Sequence, residues 1–242
     1  QIPPTKVVTM HKKEDSSFRD RDGFIFKDEN DVLYRQINKS YKNDYELLIS
    51  SKLYSYLTNS QMLVTHEEIE MAPLLEKKNY YKIIKPQRIP FISYPYEWCF
   101  SQLKEAALLT LEIQIKAYQN GMSLKDATAY NVQFLDGKPI FIDTLSFEKY
   151  IEGSPWVAYK QFCQHFLAPL LLMKYQDVYL NNILRINLDG IPLELASKLL
   201  PSKTKFNPFI LIHIHLHAKA QGKYSNKAIN REKSKLSKMA LL

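Results

Sequence analysis

Apolar residues alternate with other residues on both sides of a polar tetrapeptide, residues 28–31, near the beginning of the chain. A side-chain period of two is typical of a half-buried β-strand, and Asp, Glu and Asn suit a tight turn. The pattern therefore predicts a β-hairpin. Its alternating positions are Phe24, Phe26, Val32, Tyr34 and Gln36.

From Lys42 the period becomes helical, with Asn43 and Asp44 suited to the start of a helix. Strands are predicted at 80–84 and 89–94, where aromatic and β-branched residues are interrupted by prolines that confine strands to edges or ends. The apolar positions of the helical stretch are Tyr45, Leu48, Ile49, Leu53, Tyr56 and Leu57.

A long amphipathic helix is predicted over residues 98–119, with Gly121 ending it. A small hairpin follows, with strands at 131–135 and 139–143, and then an amphipathic helix at 156–170, stopped, kinked or continued at its proline. The predicted buried stripe of the long helix is Leu103, Ala107, Leu111, Ile115 and Tyr118.

Residues 191–201 predict a short helix with prolines near both ends, whereas residues 207–220 fit both a strand and a helix. The front of the chain is therefore β-rich and the back is α-rich. This order predicts an α+β protein with two lobes, a small β-rich N-lobe and a helical C-lobe.

The lobes are predicted at residues 20–97 and 98–218. A flexible segment is expected at 1–19, where the chain is polar and contains prolines. A basic tail or linker is expected at 219–242, where seven Lys or Arg residues and one acid lie between Lys219 and Lys238.

Composition adds a weak preference for an anionic partner. The 242 residues are 45% hydrophobic and 24% charged, as in an ordinary folded protein, and carry a net charge of +8. Such a charge suits a nucleotide, a nucleic acid or a membrane surface. Much of the excess lies in the basic tail, however, so the remainder is only mildly basic.

Two cysteines make a disulfide framework unexpected, and both are predicted as buried structural thiols. The sequence has no uninterrupted apolar run of membrane-spanning length and no signal segment. These features predict a cytoplasmic chain with no membrane partner. The missing initiator Met and the basic ending suggest a piece of a longer protein.

One group of polar residues has the spacing of a phosphotransfer site. Asn131 lies five positions after Asp126, and Asp143 follows at the end of the small hairpin. Phosphoryl transfer needs a carboxylate that orients the acceptor hydroxyl, and oxygen ligands for the magnesium ions that bridge the phosphates. Asp126 is suited to the first role, and Asn131 and Asp143 are suited to the second. Asp, Asn and Gly are also common in turns.

With "LKDATAYN" and "IFIDTLSFE" after a long helix, the sequence resembles the protein-kinase-like superfamily, particularly its aminoglycoside-phosphotransferase-like members. The resemblance covers roughly residues 20–175. The same segments look like the N-terminal module of uncharacterised bacterial proteins in which a SAM-dependent methyltransferase domain follows. The resemblance implies a two-lobed kinase fold, ATP and Mg²⁺ as cofactors, and a hydroxyl acceptor on a small molecule or protein.

The same resemblance assigns further binding residues. Arg35 takes the strand position of the phosphate-pairing Lys, which is not an equivalent replacement, and Glu46 is the helix acid that would pair with it. Lys125 precedes Asp126, where Arg or Gly is often found. Leu124 replaces the usual His, and Thr144 and Leu145 replace Phe-Gly. A glycine-rich phosphate loop is missing.

The segment "PYEWCF", residues 95–100, is expected at the connection between the lobes. Glu97 and Trp98 would then line a nucleotide site, or alternatively cap and anchor the long helix. Three histidines in "HIHLH" could share a face and hold a metal. A packed helix face is the simpler interpretation, because no acidic or cysteine ligand lies nearby in the sequence.

Three functions remain open from the sequence. The first is an ATP- and Mg²⁺-dependent phosphotransferase of kinase-like fold. The second is a catalytically degenerate kinase-like module that binds a substrate or partner for an attached SAM-dependent methyltransferase. The third, less favoured, is a basic nucleic-acid-binding protein.

Overall fold

The computed structural model describes residues 21–71 and 77–221 in full, and the backbone of residues 10–13 and 222–224. Within these residues the N-terminal part is a five-stranded antiparallel sheet, in the order β1-β2-β3-β5-β4. Its strands are β1 (Met10–Lys13), β2 (Gly23–Asp28), β3 (Leu33–Asn38), β4 (His66–Ile69) and β5 (Tyr80–Pro86).

The predicted hairpin is confirmed by β2 and β3, in which Phe24 pairs with Gln36 and Phe26 pairs with Tyr34. Asp28 stabilises the turn, because its Oδ1 accepts hydrogen bonds from the backbone amides two and four residues later, both at 2.9 Å. The side chains of Phe24 and Phe26 are buried on one face of the sheet, as the alternation requires.

The predicted single helix after residue 42 is wrong in one respect. Two helices occur, α1 (Lys42–Ser50) and α2 (Leu53–Asn59), separated at Lys52, whose φ of 63° is left-handed. A left-handed residue ends the helical path and resets the face that the next helix buries. Ile49 on α1 and Tyr56 on α2, both predicted on the buried stripe, are exposed instead.

Of the two strands predicted in the proline-rich region, only β5 is confirmed. No strand forms at 89–94, where the chain runs in an extended path without strand pairing into a 3₁₀ turn, Pro95–Glu97. The sequence interpretation also missed β4, which pairs with β5 through Glu68 and Ile84. This four-residue edge strand is half exposed and lacks a clear alternation.

The long helix is confirmed as α3 (Phe100–Gln119). Ile115, predicted on its buried stripe, is more than a third exposed, and Ile113 lies on the buried face in its place. The predicted buried cysteines also differ, because Cys163 is buried but Cys99, just before α3, is exposed.

Two small antiparallel pairs follow α3. They are formed by β6 (Met122–Leu124) with β9 (Phe147–Lys149), and by β7 (Val132–Leu135) with β8 (Lys138–Phe141). Asp136 and Gly137 both have positive φ, 52° and 78°, which matches the tight turn of a two-residue hairpin. A short parallel bridge from Leu63 to Phe141 ties this region to the segment before β4.

The rest of the described chain is helical. α4 (Tyr159–Phe162) continues through a π-helical turn, Cys163–Leu167, into α5 (Ala168–Tyr175), so the predicted helix continues past Pro169. After it come α6 (Ile183–Ile186), α7 (Leu193–Leu199), α8 (Pro208–Ile210), a π-helical stretch (Leu211–Leu216) and α9 (His217–Tyr224).

The histidine-rich segment is therefore helical rather than extended. His215 is buried and bonds through its two ring nitrogens to the hydroxyls of Ser197, at 2.8 Å, and Thr204, at 2.9 Å. His213 bonds to the Tyr159 hydroxyl, and His217 stacks on the Tyr159 ring. These contacts make the three histidines part of helix packing.

The described residues thus form an α+β structure, with a small antiparallel sheet before a mainly helical part. Most of the predicted flexible segment, 1–19, and of the basic tail, 219–242, lies outside the described residues. The strand β1 and the end of α9 are the parts of these two segments that the structure describes. Within the described ranges, none of the helices combines the length and the apolar character needed to span a bilayer.

Candidate functional site

A cleft of 920 Å³ lies under the sheet, between β2–β3, the chain after β5, and the residues around β8. Ile25, Arg35 and Ile84 are cross-strand partners and therefore share the face of the sheet that roofs the cleft. Residues 85–90 form one wall. Ile142 and Thr144, on either side of Asp143, form the opposite wall.

Asp143 follows the short strand β8 and begins a 3₁₀ turn, Thr144–Ser146. Its Oδ1 accepts a hydrogen bond from the Leu145 amide at 3.0 Å, and its Oδ2 accepts one from the Ser146 hydroxyl at 2.7 Å. The Arg35 guanidinium also donates to Oδ1 and forms an ion pair with it. The carboxylate is thus held between two residues that line the cleft, Ile142 and Thr144, and contacts Arg35 of the sheet.

Burial by itself would raise the pKa of Asp143, but Arg35 and the hydrogen bonds from Ser146 and Leu145 outweigh it and lower the pKa. A carboxylate with this many donors stays ionised at neutral pH. Asp143 therefore retains a negative charge beside the residues that line the cleft.

Asn131 is placed beside Asp143 by two contacts. Its backbone carbonyl accepts a hydrogen bond from the Ile142 amide at 2.8 Å. Its side-chain Nδ2 donates to the Ser146 hydroxyl at 3.0 Å, and the same hydroxyl donates to Asp143. Ser146 thus bridges the amide and the carboxylate. Sequence reasoning missed this residue because a serine three positions after Asp143 carries no distinctive pattern.

Asp126 lies on the loop between β6 and β7. Its Oδ1 accepts a hydrogen bond from the Thr128 amide at 3.0 Å, and the side chains of Gln161 and Asn131 also donate to its carboxylate. Burial and the nearby charge of Asp143 raise its pKa, against the lowering by these hydrogen bonds. Asp126, Asn131 and Asp143 are therefore one electrostatically coupled group.

Hydrogen bonds to several of its backbone atoms hold the loop that carries Asp126 in place. The Lys125 amide donates to the Ser146 carbonyl at 2.8 Å, and the Trp156 indole donates to the Leu124 carbonyl at 2.8 Å. The Gln161 carboxamide accepts from the Ala127 amide at 2.6 Å. Gln161 and Trp156 come from the chain at and before α4, far in sequence, so only the fold brings them here.

Lys125, predicted to bind the cofactor, points to the sheet rather than along the cleft. Its ammonium forms an ion pair with Asp22, immediately before β2, and lies 4.4 Å from the centre of the Tyr41 ring. The Tyr41 hydroxyl donates to the Phe147 carbonyl at 2.6 Å. Lys125 thus connects the Asp126 loop to the sheet.

Arg35 and Glu46 do not make the pair suggested by the sequence. Arg35 pairs with Asp143, whereas Glu46 accepts a hydrogen bond from the Tyr81 hydroxyl at 2.8 Å and lies 3.8 Å from the Lys42 ammonium on the exposed side of α1. The contacts of Glu46 are therefore on the outer surface. The prediction of an Arg35–Glu46 pair is wrong.

Glu97 also lies away from the cleft. Its carboxylate accepts a hydrogen bond from the Tyr94 amide at 2.7 Å and closes the 3₁₀ turn before α3. The chain that lines the cleft is residues 85–90 together with Ile92. Glu97 therefore caps this turn rather than the long helix, whose capping box is formed by Cys99 and Gln102.

The oxygen donors of the site suit magnesium. Mg²⁺ is usually bound through one or two carboxylates, with substrate phosphates and water completing the octahedron. Asp143, the Asn131 amide and Asp126 supply such oxygens side by side. In the described part of the chain, no cluster of three or more His, Cys, Asp or Glu side chains could hold a metal by itself. A metal at this position would therefore need further ligands, such as the Asn131 oxygen.

Comparison with known proteins gives one relative in sequence. No family model matches this chain. Nodulation protein NoeA of Rhizobium meliloti (strain 1021) is 36% identical over 206 residues, which are 85% of this chain and 43% of that protein. The chain thus spans less than half the length of the curated relative it matches.

Among solved structures, that of vaccinia related kinase 3 matches with a TM-score of 0.38 and 11% sequence identity. The match covers 62% of this chain and 53% of that one. A similarity at this level does not assign a fold.

Proposed function

We propose that the described chain is a kinase-like domain that acts as an ATP- and Mg²⁺-dependent phosphotransferase on a hydroxyl of a small molecule or protein. The observation that carries the proposal is the hydrogen-bonded chain from Asp126 through Asn131 and Ser146 to Asp143, next to a cleft that Arg35, Ile142 and Thr144 line. The order of elements supports it, because the sheet, the long helix and the loop follow one another as in a kinase.

In this proposal the nucleotide base lies against the apolar roof and the wall at residues 85–90, and the phosphates reach toward Arg35. Mg²⁺, when bound, neutralises charge that develops on the phosphates. Asn131 and Asp143 hold the metal, and Arg35 leaves Asp143 to contact phosphate oxygens. Arginine suits this exchange because its planar guanidinium bonds equally well to carboxylate and phosphate.

Asp126 orients the acceptor hydroxyl and accepts its proton. The hydroxyl oxygen forms a bond to the γ-phosphorus, the bond from that phosphorus to the β–γ bridging oxygen breaks, and ADP leaves with the electron pair. Burial raises the pKa of Asp126, so the rate of transfer falls as the pH is lowered through that pKa and the base becomes protonated.

Calorimetry with ADP and ATP, with and without MgCl₂, tests the proposal on the wild type, Asp143→Asn and Asp126→Asn. Mg²⁺-dependent affinity should fall at least tenfold in Asp143→Asn, because a metal ligand loses its charge. Asp126→Asn should retain binding and lose transfer. The control Asp136→Asn removes one acid from the exposed hairpin turn, where Asn also tolerates a positive φ.

Failure of the wild type to bind either nucleotide in the presence of Mg²⁺ would refute the proposal. Equal loss of affinity in Asp143→Asn and in Asp136→Asn would refute the assignment of Asp143. Circular dichroism of all variants verifies that each of them is folded.

A second function is favoured by specific departures on the sheet side. Residues 14–22, between β1 and β2, contain no glycine, and Arg35 occupies the carboxylate that a metal would need. Both suit a degenerate kinase-like module that binds a substrate or partner for an attached SAM-dependent methyltransferase. The length of NoeA outside the match leaves room for a further domain in that protein. Nucleotide binding that is absent or independent of Mg²⁺ is the result expected for this alternative.

A further inference from the structure

The helical segment from α8 to α9 has one buried face and one face in solvent. Ile210, Ile214 and Ala218 are buried and pack in a core that they share with residues of α5 and α7. Ile212 and Leu216 lie midway between successive buried residues and therefore point to the opposite side. On a surface helix this outward side is ordinarily polar.

The outward side of this segment is apolar instead. Ile212 and Leu216 are each at least half exposed, and so is Phe209 in the first turn. Phe206, in the 3₁₀ turn just before the segment, is 88% exposed. These four residues are called the apolar ridge. Single exposed apolar side chains are normal, but four large ones within eleven residues of one surface segment indicate an interaction site.

The chain around the apolar ridge is basic and contains no acid. Residues 195–231 include seven Lys or Arg residues and neither Asp nor Glu. Of these basic residues, Lys203, Lys205 and Lys219 flank the ridge in sequence and are exposed. Glu194, on the neighbouring helix α7, forms an ion pair within its own helix at 2.7 Å. The ridge is therefore accompanied by positive charge.

Apolar and basic groups in this arrangement fit the surface of an anionic lipid bilayer. A helix bound at such a surface inserts its apolar side chains to the level of the acyl boundary, while the lysines beside them approach the lipid headgroups. A nucleic acid would use the lysines but not Ile212 and Leu216, because bases stack on aromatic rings. An apolar protein partner would cover the ridge but would not need the lysines.

We propose that the apolar ridge is a peripheral membrane-binding surface, which holds the protein on a bilayer that contains anionic phospholipid. This inference goes beyond the proposed phosphotransfer function and does not depend on it. The expectation of no membrane partner rests on the lack of a membrane-spanning apolar run, and a helix that lies in the interface needs no such run. The basic residues that follow in the sequence, up to Lys238, add to the electrostatic attraction.

Sedimentation with sucrose-loaded vesicles tests this inference on the full chain without nucleotide. The vesicles contain phosphatidylcholine alone, or an equimolar mixture of phosphatidylcholine and phosphatidylserine. The wild type should sediment with the mixed vesicles and remain largely in the supernatant with the neutral ones, because binding needs both the apolar and the charged contacts. Binding to the mixed vesicles should weaken as the NaCl concentration is raised.

Phe206→Ser and Ile212→Ser should each lower the partition coefficient on mixed vesicles roughly fivefold to tenfold, because each removes a side chain that enters the acyl boundary. The double variant Lys203→Ser/Lys205→Ser should lower it by roughly tenfold or more. The matched control is Phe91→Ser, because Phe91 is 75% exposed in the chain between β5 and α3. This control should bind as the wild type does.

Two results overturn the assignment. One is a wild type that sediments no more with the mixed vesicles than without lipid. The other is vesicle binding that Phe206→Ser and Ile212→Ser leave equal to that of Phe91→Ser, as expected if the basic tail alone attracted the lipid. Size-exclusion chromatography of the same proteins identifies the competing partner in the first case, because a dimer that Ile212→Ser dissociates would assign the ridge to a second copy of the chain.

Circular dichroism verifies that each variant is folded. Phe206 lies outside the helices α8 and α9, so a folding defect in Ile212→Ser leaves Phe206→Ser to decide the outcome.

Discussion

The two sides of the proposed phosphotransfer site differ in the chemical groups that they contribute. The loop side, residues 122–149, holds Asp126, Asn131 and Asp143 in a network that continues through Ser146. The sheet side, residues 22–38, supplies Arg35 from a tightly closed hairpin. It places that guanidinium on Asp143. The oxygen-bearing side chains are therefore assembled on one side, and the sheet side supplies a cation that pairs with one of them.

This difference has a physical basis. The loop side is built from short-range turns and hydrogen bonds that position oxygen atoms, and such turns need only a few residues. A phosphate-gripping loop needs glycines, so that backbone amides can approach the phosphates. Residues 14–22 lack them. The sheet side must therefore act through side chains, and the cations of residues 22–38 that line the cleft are Lys27 and Arg35.

The largest expected effect comes from removing the ion pair between Arg35 and Asp143, which connects the two sides. Arg35→Met should lower the free energy of unfolding by about 3 kcal/mol, because it leaves the Asp143 carboxylate without its cation in a largely buried site. Urea unfolding at pH 7.5 measures the change. If Arg35 clamps phosphate, affinity for Mg²⁺-ATP should fall as well; if it only blocks Asp143, that affinity should rise.

Arg88→Met serves as the control, because Arg88 lines the same cleft but is exposed. If Arg88→Met lowered the free energy of unfolding as much as Arg35→Met does, the importance assigned to the Arg35–Asp143 ion pair would be contradicted.

The second effect concerns His165, whose ring contacts the Asp126 loop at Thr128. His165 is 1% exposed and lies within 3.4 Å of the Thr128 hydroxyl, and burial lowers its pKa to about 4. The unfolded chain therefore binds a proton near pH 6.5 while the folded chain does not. Stability is full above pH 6.5 and is lost as the pH falls toward 4.

At pH 5 this loss amounts to about 2 kcal/mol, at about 1.4 kcal/mol per pH unit. His165→Gln should remove this part of the pH dependence between pH 7.5 and pH 5, measured by urea unfolding at both values. His217→Gln, whose ring is in the C-terminal helices, is the comparison variant. An unchanged pH dependence in His165→Gln would show that His165 does not titrate as inferred.

The smallest effect concerns the bridge between the two sides. Lys125→Met removes the partly exposed ion pair with Asp22 and the contact with the Tyr41 ring. Such contacts contribute about 1 kcal/mol together. Thermal unfolding should show this loss, and Lys138→Met, at the exposed first residue of β8, should not show it. An equal melting temperature for both variants would mean that Lys125 does not couple the loop to the sheet.

Part of the fold was readable from the sequence because the signals are local. The hairpin β2–β3 and the hairpin β7–β8 each combine alternation with a turn that Asp, Asn or Gly favours. The long helix α3 shows a sustained apolar period. In contrast, β4 is short and half exposed, and the left-handed Lys52 has no sequence signal, so both were missed.

The candidate site divides in the same way. The order Asp126, Asn131, Asp143 is a property of the sequence, and turn chemistry explains why each lies at the end of an element. The partners of these residues are not local: Gln161 is 35 positions after Asp126, and Arg35 is 108 positions before Asp143. Sequence spacing alone cannot specify such pairs, and this is why Glu46 was chosen for Arg35.

The sequence by itself determined the α+β order of elements and the oxygen-bearing residues of the loop side. The tertiary structure decided where their charges are satisfied: Arg35 on Asp143, Lys125 on Asp22 and Glu46 beside Tyr81. It also stacked the ring of Tyr94 on that of Tyr96. Local structure follows from short-range backbone preferences, whereas the partner of a charge or a ring depends on packing between segments far apart in the chain.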